Sequence, residues 1–324
     1  MTRKRTGLLI LFAAMLSMAF WVFPGEAQPG TVQQIVPGVW FRHGQLEDLG
    51  HCNNVIIEMA DYLIVVDANF PSGAKAVLQD LKRISPKPVR YVFDTHHHGD
   101  HAYGNPVWTQ QGATTLAYVG VAEEMKRYEP AGWQSAAKTR KDVAELNLST
   151  AEPPKQTFRD VPFVLDDGKR RVEFHFFGWA HTRGDGFVYL PNEKVLCTGD
   201  AATNGPHNFM GHANIGNWPS VIQKAAALDV TRVLPGHGPA GGPEVLSGQQ
   251  NFLREIHATV KTAIGQGKKL EDLVTMENGQ PSATSLKLSP SVQHWVGGSL
   301  PAQVRFTYEE ISQGKPYGEI AGGK

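Results

Sequence analysis

Seven consecutive residues, Thr95-His96-His97-His98-Gly99-Asp100-His101, come one residue after the apolar run Val89 to Phe93. Imidazoles and a carboxylate crowded into one short turn give a fold little unless they bind something, because buried polar groups need partners. If the strand ends here, residues two apart share a side and the glycine lets the backbone double back. His96, His98, Asp100 and His101 can then converge. Three more candidates follow, each near glycine: His181 in Ala180-His181-Thr182-Arg183-Gly184, Asp200 in Thr198-Gly199-Asp200, and His237 in Gly236-His237-Gly238. Seven nitrogen or oxygen ligands exceed what one tetrahedral zinc ion takes and suit two ions sharing a bridging carboxylate.

The chain around these motifs alternates between strand and helix patterns. Val55-Ile56-Ile57 and Tyr62 to Val66 are apolar runs separated by a polar turn at Asp61, and read as paired strands. Ala76, Val77, Leu81 and Ile84 recur at helical spacing over 72–84, and Pro86 and Pro88 stop that helix before Val89 to Phe93 resumes as strand. This order delivers the histidine cluster to a strand's C-terminal edge, where open α/β sheets commonly bind ligands. The second half repeats the alternation. Segments 171–177, 186–190 and 195–197 read as strands, 218–228 as a helix, and Val233-Leu234 as a last strand running into His237. Between the halves, Pro130-Ala131-Gly132-Trp133 reads as loop and 138–146 as a short helix. Beyond residue 245, Phe252, Ile256, Val260 and Ile264 predict an amphipathic helix that packs. Segments 270–273 and 302–313 are further helical candidates, and the tail from Gly318 to Lys324 is expected to fray.

Taken together, the motifs resemble the metallo-β-lactamase superfamily of hydrolases, whose hallmark is a His-x-His-x-Asp-His motif followed by isolated His, Asp and His ligands. The resemblance implies an α/β chain: an αββα sandwich over residues 28–245, with a helical extension, 246–324, packed on the same domain. Carried over position by position, it assigns His96, His98 and His181 to a first metal and Asp100, His101 and His237 to a second. Asp200 takes the bridging place. Two Zn2+ ions are expected, with iron or manganese as alternatives at one or both positions. The best-known zinc β-lactamases lack the bridging carboxylate. Asp200 therefore resembles more closely the hydroxyacylglutathione hydrolases, lactonases and many phosphodiesterases of the superfamily.

Two such ions can hold a hydroxide near neutral pH. That hydroxide is the expected nucleophile on an ester, lactone, thioester or β-lactam carbonyl, with Asp100 as the catalytic residue that handles its proton. Phosphodiester or sulfate-ester hydrolysis is the alternative reaction. A non-catalytic metal-binding or relay protein is the alternative without chemistry, and the crowded ligand set opposes it, since structural zinc needs only four ligands. Asp67, Asp94 and Asp185 are candidates for accepting ligand N–H groups or tying loops together. His97 faces away from its neighbours and is assigned a surface or supporting role. Arg183, suited to a carboxylate or phosphate, and His207 and His212 of the stretch Asn204 to Asn214 are candidate substrate contacts.

The start of the chain speaks to location. Arg3, Lys4 and Arg5 precede the apolar run Leu8 to Phe23, and Gly25 and Ala27 offer a cut before Gln28, as in a secretory signal peptide over residues 1–27. A periplasmic or secreted enzyme without a permanent membrane anchor is expected. The 31 basic and 31 acidic residues give a net charge of zero, so a small-molecule substrate is the expected partner and nucleic acid is not. Oligomeric state is left open. So is a bridge between the two cysteines, Cys52 and Cys197, because spacing does not fix disulfide geometry.

Overall fold

The computed structural model describes residues 28–321. The proposed export signal therefore lies outside the described residues. Twelve strands form two mixed sheets: β1 (Val32–Val36), β2 (Val39–Arg42), β3 (Asn54–Glu58), β4 (Leu63–Val66), β5 (Val89–Phe93), β6 (Thr114–Tyr118) and β7 (Gln156–Phe158) in order in the first, and β12 (Arg232–Pro235), β11 (Val195–Gly199), β10 (Gly186–Leu190), β9 (Arg171–Phe176) and β8 (Phe163–Asp166) in the second. Helical crossovers make β4, β5, β6 and β7 parallel neighbours, and likewise β11 and β12. The central strands β4, β10 and β11 are buried along their whole length because both faces are covered.

Alternation sorts those faces. Val55, Ile57, Ile64, Val66 and Phe93 of the first sheet meet Phe174, Val188, Leu190, Val195 and Leu234 of the second in the central layer. On the first sheet's outer face, Ile56, Leu63, Val65 and Val92 pack against Ala74, Val77 and Leu81 of the helix Pro71–Ile84. On the second sheet's outer face, Phe187, Leu196 and Val233 meet Trp218, Val221 and Ile222, and that cluster continues into Phe252, Leu253, Ile256 and Val260 of the helix Glu244–Gly265. The result is the layered αββα arrangement with a helical C-terminal region.

Several local expectations are corrected. Pro130 to Trp133 is not a loop but lies inside the helix Val119–Thr139. Proline costs a helix interior roughly 3 kcal/mol; here Trp133 is buried, packs tilted against Tyr103 with centroids 4.9 Å apart, and donates its indole N–H to the Leu148 carbonyl at 2.9 Å. Packing outweighs the proline. The tail does not fray at Gly318: Tyr317–Ala321 is a helix with Tyr317, Gly318 and Ile320 buried. An unanticipated hairpin, Val274–Glu277 with Gln280–Thr284, turns at Asn278-Gly279, both at positive φ. Both cysteines are buried and unpaired.

Candidate metal centre

Each candidate ligand lies just past a strand end on one rim. β5 leads to His96, His98, Asp100 and His101, the last two in the short helix Gly99–Ala102; β11 leads to Asp200 and β12 to His237, while His181 lies in the loop between β9 and β10. The parallel register of β11 and β12 sets Asp200 beside His237. Glycine permits that approach, since a Cβ at Gly236 would strike both the Asp200 carboxylate and the His101 ring.

His98 Nδ1 lies 3.1 Å from His96 Nε2 and 3.0 Å from His181 Nε2. A second set forms around His237 Nε2, which is 3.0 Å from Asp100 Oδ2 and 3.4 Å from His101 Nε2. Asp200 stands between them: Oδ2 is 3.4 Å from His237 Nε2 and 3.9 Å from His181 Nε2, and Oδ1 is 3.4 Å from His101 Nε2. The structure thus brings all seven sequence-predicted ligands together. Asp200 Oδ1 is buried without a hydrogen-bond partner. An orphaned buried carboxylate oxygen facing imidazole nitrogens fits a cation.

The electrostatics fit as well. Burial lowers His96, His98 and His181, the last to about 4, so this set presents neutral imidazoles. Burial opposes charge on Asp100 and Asp200 too, yet His101 and His237 hold both carboxyls below the ordinary range. Against burial, neighbouring anionic groups raise His101 and His237, so a borderline divalent ion such as zinc would replace the protons that those two rings favour in its absence.

The outward ring nitrogens are also held. His101 Nδ1 donates to Asp67 Oδ2 at 2.9 Å, while Asp67 Oδ1 accepts the Thr95 N–H at 2.8 Å. His181 Nδ1 donates to the Phe209 carbonyl at 2.8 Å, and His96 Nδ1 faces Thr95 Oγ1 at 3.1 Å. Asp185 accepts from Thr182 N and Oγ1 and from Ala180 N, tying the loop that carries His181; burial pushes its pKa up to about 7. Asp94 touches no ligand ring. It is wholly buried and accepts from Asn105 at 2.8 Å, so it ties a loop.

Two further expectations change and one narrows. Of the surface and supporting places expected for His97, it takes the second: it is fully buried, 3.1 Å from His212 Nδ1. His212 does not line the cavity over the ligands; it lies behind His98. Arg183 stacks on Trp179 at 4.0 Å and faces Glu124 at 3.7 Å and Glu319 at 3.2 Å, because those carboxylates neutralise it away from the ligands. His207 does line the cavity, of about 440 Å³, with Leu46, Pro206, Asn208, Phe209 and Ser299 above His98, Asp100, Asp200 and His237. A contiguous space of about 570 Å³ shares Leu46, His207 and His237 and adds Glu47, Asp48 and His294. Sequence reasoning missed Leu46 and Ser299, which carry no local signal. Thr95, quoted within the cluster, was given no role.

A family model described as the metallo-beta-lactamase superfamily matches residues 48–237. The linear primary-alkylsulfatase of a Pseudomonas species is 24% identical over 259 residues, 68% of this chain and 48% of that protein. The chain thus spans about half of that relative's length. The type 2 metallo-beta-lactamase of Bacillus cereus is 21% identical over 233 residues, 68% of this chain and 81% of its own. Among solved structures, the metallo-beta-lactamase from Pontibacter korlensis superposes with a TM-score of 0.56 at 22% identity, over 69% of this chain and 98% of that one. FIM-1 from Pseudomonas aeruginosa, solved in its mono-zinc form, gives 0.56 at 21% identity over 71% and 97%. At such identities the structural likeness shows the fold alone.

Proposed function

The chain belongs to the metallo-beta-lactamase superfamily, and from that premise we propose that it is a zinc-dependent hydrolase of uncharged carbonyl substrates: esters, lactones and thioesters, ahead of β-lactams. The observation that carries this is the cavity over the ligands. Leu46, Pro206 and Phe209 supply apolar wall, and no lysine or arginine is among the described residues that line it or the adjoining space. Glu47 and Asp48 are exposed at the mouth. A substrate carrying a remote carboxylate, as β-lactams do, finds no lysine or arginine to pair with and meets two carboxylates. A neutral substrate with an apolar group meets neither cost.

Bound between the two ligand sets, a pair of zinc ions would supply Lewis acidity toward the carbonyl oxygen and lower the pKa of water. His96, His98 and His181 would hold one, Asp100, His101 and His237 the other, and Asp200 both. Asp100 has its side chain 23% exposed toward the cavity, so its carboxylate can also orient the attacking water and take up its proton. His207 stands over His237, with ring centroids 5.6 Å apart, where it can donate to the departing oxygen or sulfur.

Sulfate-ester hydrolysis is the second reading, supported by the alkylsulfatase among the relatives. Zinc-loaded protein assayed on a neutral lactone, an aryl ester, a thioester, nitrocefin, an alkyl sulfate and bis-p-nitrophenyl phosphate separates the readings. The expected result is a kcat/KM for the best neutral carbonyl compound at least about tenfold above the rest, roughly 1.4 kcal/mol in transition-state binding. Fastest turnover of the sulfate or phosphate ester would overturn it.

A further inference from the structure

A neutral imidazole that binds through one nitrogen carries its proton on the other, and a buried proton needs an acceptor. For His96, His101 and His181 that acceptor is an oxygen: a hydroxyl, a carboxylate and a backbone carbonyl. His98 differs on both counts. Its inward nitrogen is Nδ1, not Nε2, and its outward Nε2 lies 2.9 Å from Nδ1 of another imidazole, His212. We infer that His212 is a positioning residue: its Nδ1 accepts the His98 Nε2 proton and so selects Nδ1 of His98 as the ligating nitrogen.

His212 is held in place from several sides. Its ring stacks on Tyr128, centroids 3.9 Å apart at 19°. Tyr128 donates its hydroxyl to the Gly318 carbonyl at 3.0 Å, and Trp179 donates its indole N–H to the His212 carbonyl at 2.9 Å. Gly318 also donates its N–H to the Ala213 carbonyl at 2.9 Å. A helix of the catalytic layer, the loop before His181 and the C-terminal helix therefore fix one acceptor atom behind one ligand. The fully buried His97 places Nε2 3.1 Å from the same atom, but its ring stacks on His212 at 27°, so the single in-plane Nδ1 lone pair is left to His98. The nitrogens of His97, His98 and His212 are close enough to invite a third ion. That would require His98 to lose its one remaining N–H proton and bind as imidazolate, whereas the hydrogen bond keeps that proton.

This inference rests on the metal-centre reading above, and the test separates the two. Zinc affinity is measured by chelator competition, and the Co2+ visible spectrum reports ligand geometry, in the wild type, His212→Phe and His212→Asn. The phenylalanine keeps a ring to stack on Tyr128 but accepts nothing; the asparagine restores an acceptor. His212→Phe should retain its fold by circular dichroism, lose affinity at one of the two sites by about 10- to 100-fold, and alter the Co2+ spectrum. His212→Asn should stay within a few-fold of wild type. If His212→Phe fails to fold, His212→Ala replaces it in the same comparison. Equal losses in the acceptor and non-acceptor variants, or none in either, overturn the positioning role. So does a third zinc equivalent that disappears with His212. A wild type that binds no zinc refutes the metal centre itself.

Discussion

Asp200 is the residue on which the two candidate ligand sets depend, because its oxygens face His181 of one set and His101 and His237 of the other. Asp200→Asn keeps the size and removes the charge. The expected outcome is a loss of at least about tenfold in affinity for one metal and about a hundredfold in turnover. Melting of the metal-free forms should agree within about 2 °C, roughly 1 kcal/mol; full metal content and turnover in the variant would disprove the bridging role. Glu129 makes the opposite case, a carboxyl that burial penalises. It is 4% exposed, accepts the Tyr103 hydroxyl, and burial pushes its pKa up to about 7 from 4.5. A folded-state pKa above the unfolded one means the unfolded chain loses the proton first, so stability falls as pH rises from 4.5 to 7. Glu129→Gln should therefore match wild type near pH 4 and exceed it at pH 8 by up to roughly 3 kcal/mol in urea denaturation. A pH-independent difference would refute the assignment. The seven candidate ligands were legible in sequence because chemistry so dense has few other uses. Leu46 and Ser299 were not, since nothing local separates a cavity wall from an ordinary loop.

At the scale of elements, strand ends carry the chemistry and the C-terminal helices brace it. Glu310, in the helix Leu300–Gln313, accepts the backbone N–H groups of Ile215 at 3.0 Å, Gly216 at 2.6 Å and Tyr317 at 2.8 Å. It thereby ties that helix to the segment just past His212. Glu310→Ala leaves three donors without their carboxylate and should cost about 3 kcal/mol or more. Hydrogen exchange should speed up at Ile215, Gly216 and Tyr317; unchanged protection there would show that the carboxylate does not hold the segment. The strands and the long helices were readable because their periodicity reflects the faces they bury. The helix through Pro130 was not, since local propensity argues against it and only Trp133, buried against Tyr103, restores it. The Asn278-Gly279 hairpin was readable and was passed over.

For the whole molecule, the C-terminal region shares one core with the second sheet. Phe252, Leu253, Ile256 and Val260 cover Trp218, Val221 and Ile222. Burial of four such side chains contributes about 6–12 kcal/mol, comparable to the 5–15 kcal/mol net stability of a typical domain. A chain cut after residue 243 should therefore lack a cooperative melting transition by calorimetry, whereas a sharp transition would make the extension dispensable. Export is the other prediction at this scale. With residues 1–27 read as a cleaved export signal, the active protein is expected to begin at Gln28. N-terminal sequencing that finds Met1 in salt-washed membranes would refute this. By itself the sequence determined the alternation of strands and helices and the seven candidate ligands at strand ends, because each follows from short-range pattern: period, turn residues and ligand-type density; the αββα layering came only through the resemblance to the superfamily. Only the tertiary structure decided which side chains stand behind those ligands and what walls the space above them. Arg183 is drawn off by Glu124 and Glu319, His212 sits behind His98, and Leu46 joins Phe209 over Asp200. The physical reason is that such contacts join residues far apart in the chain, through long-range packing that leaves no trace in local sequence.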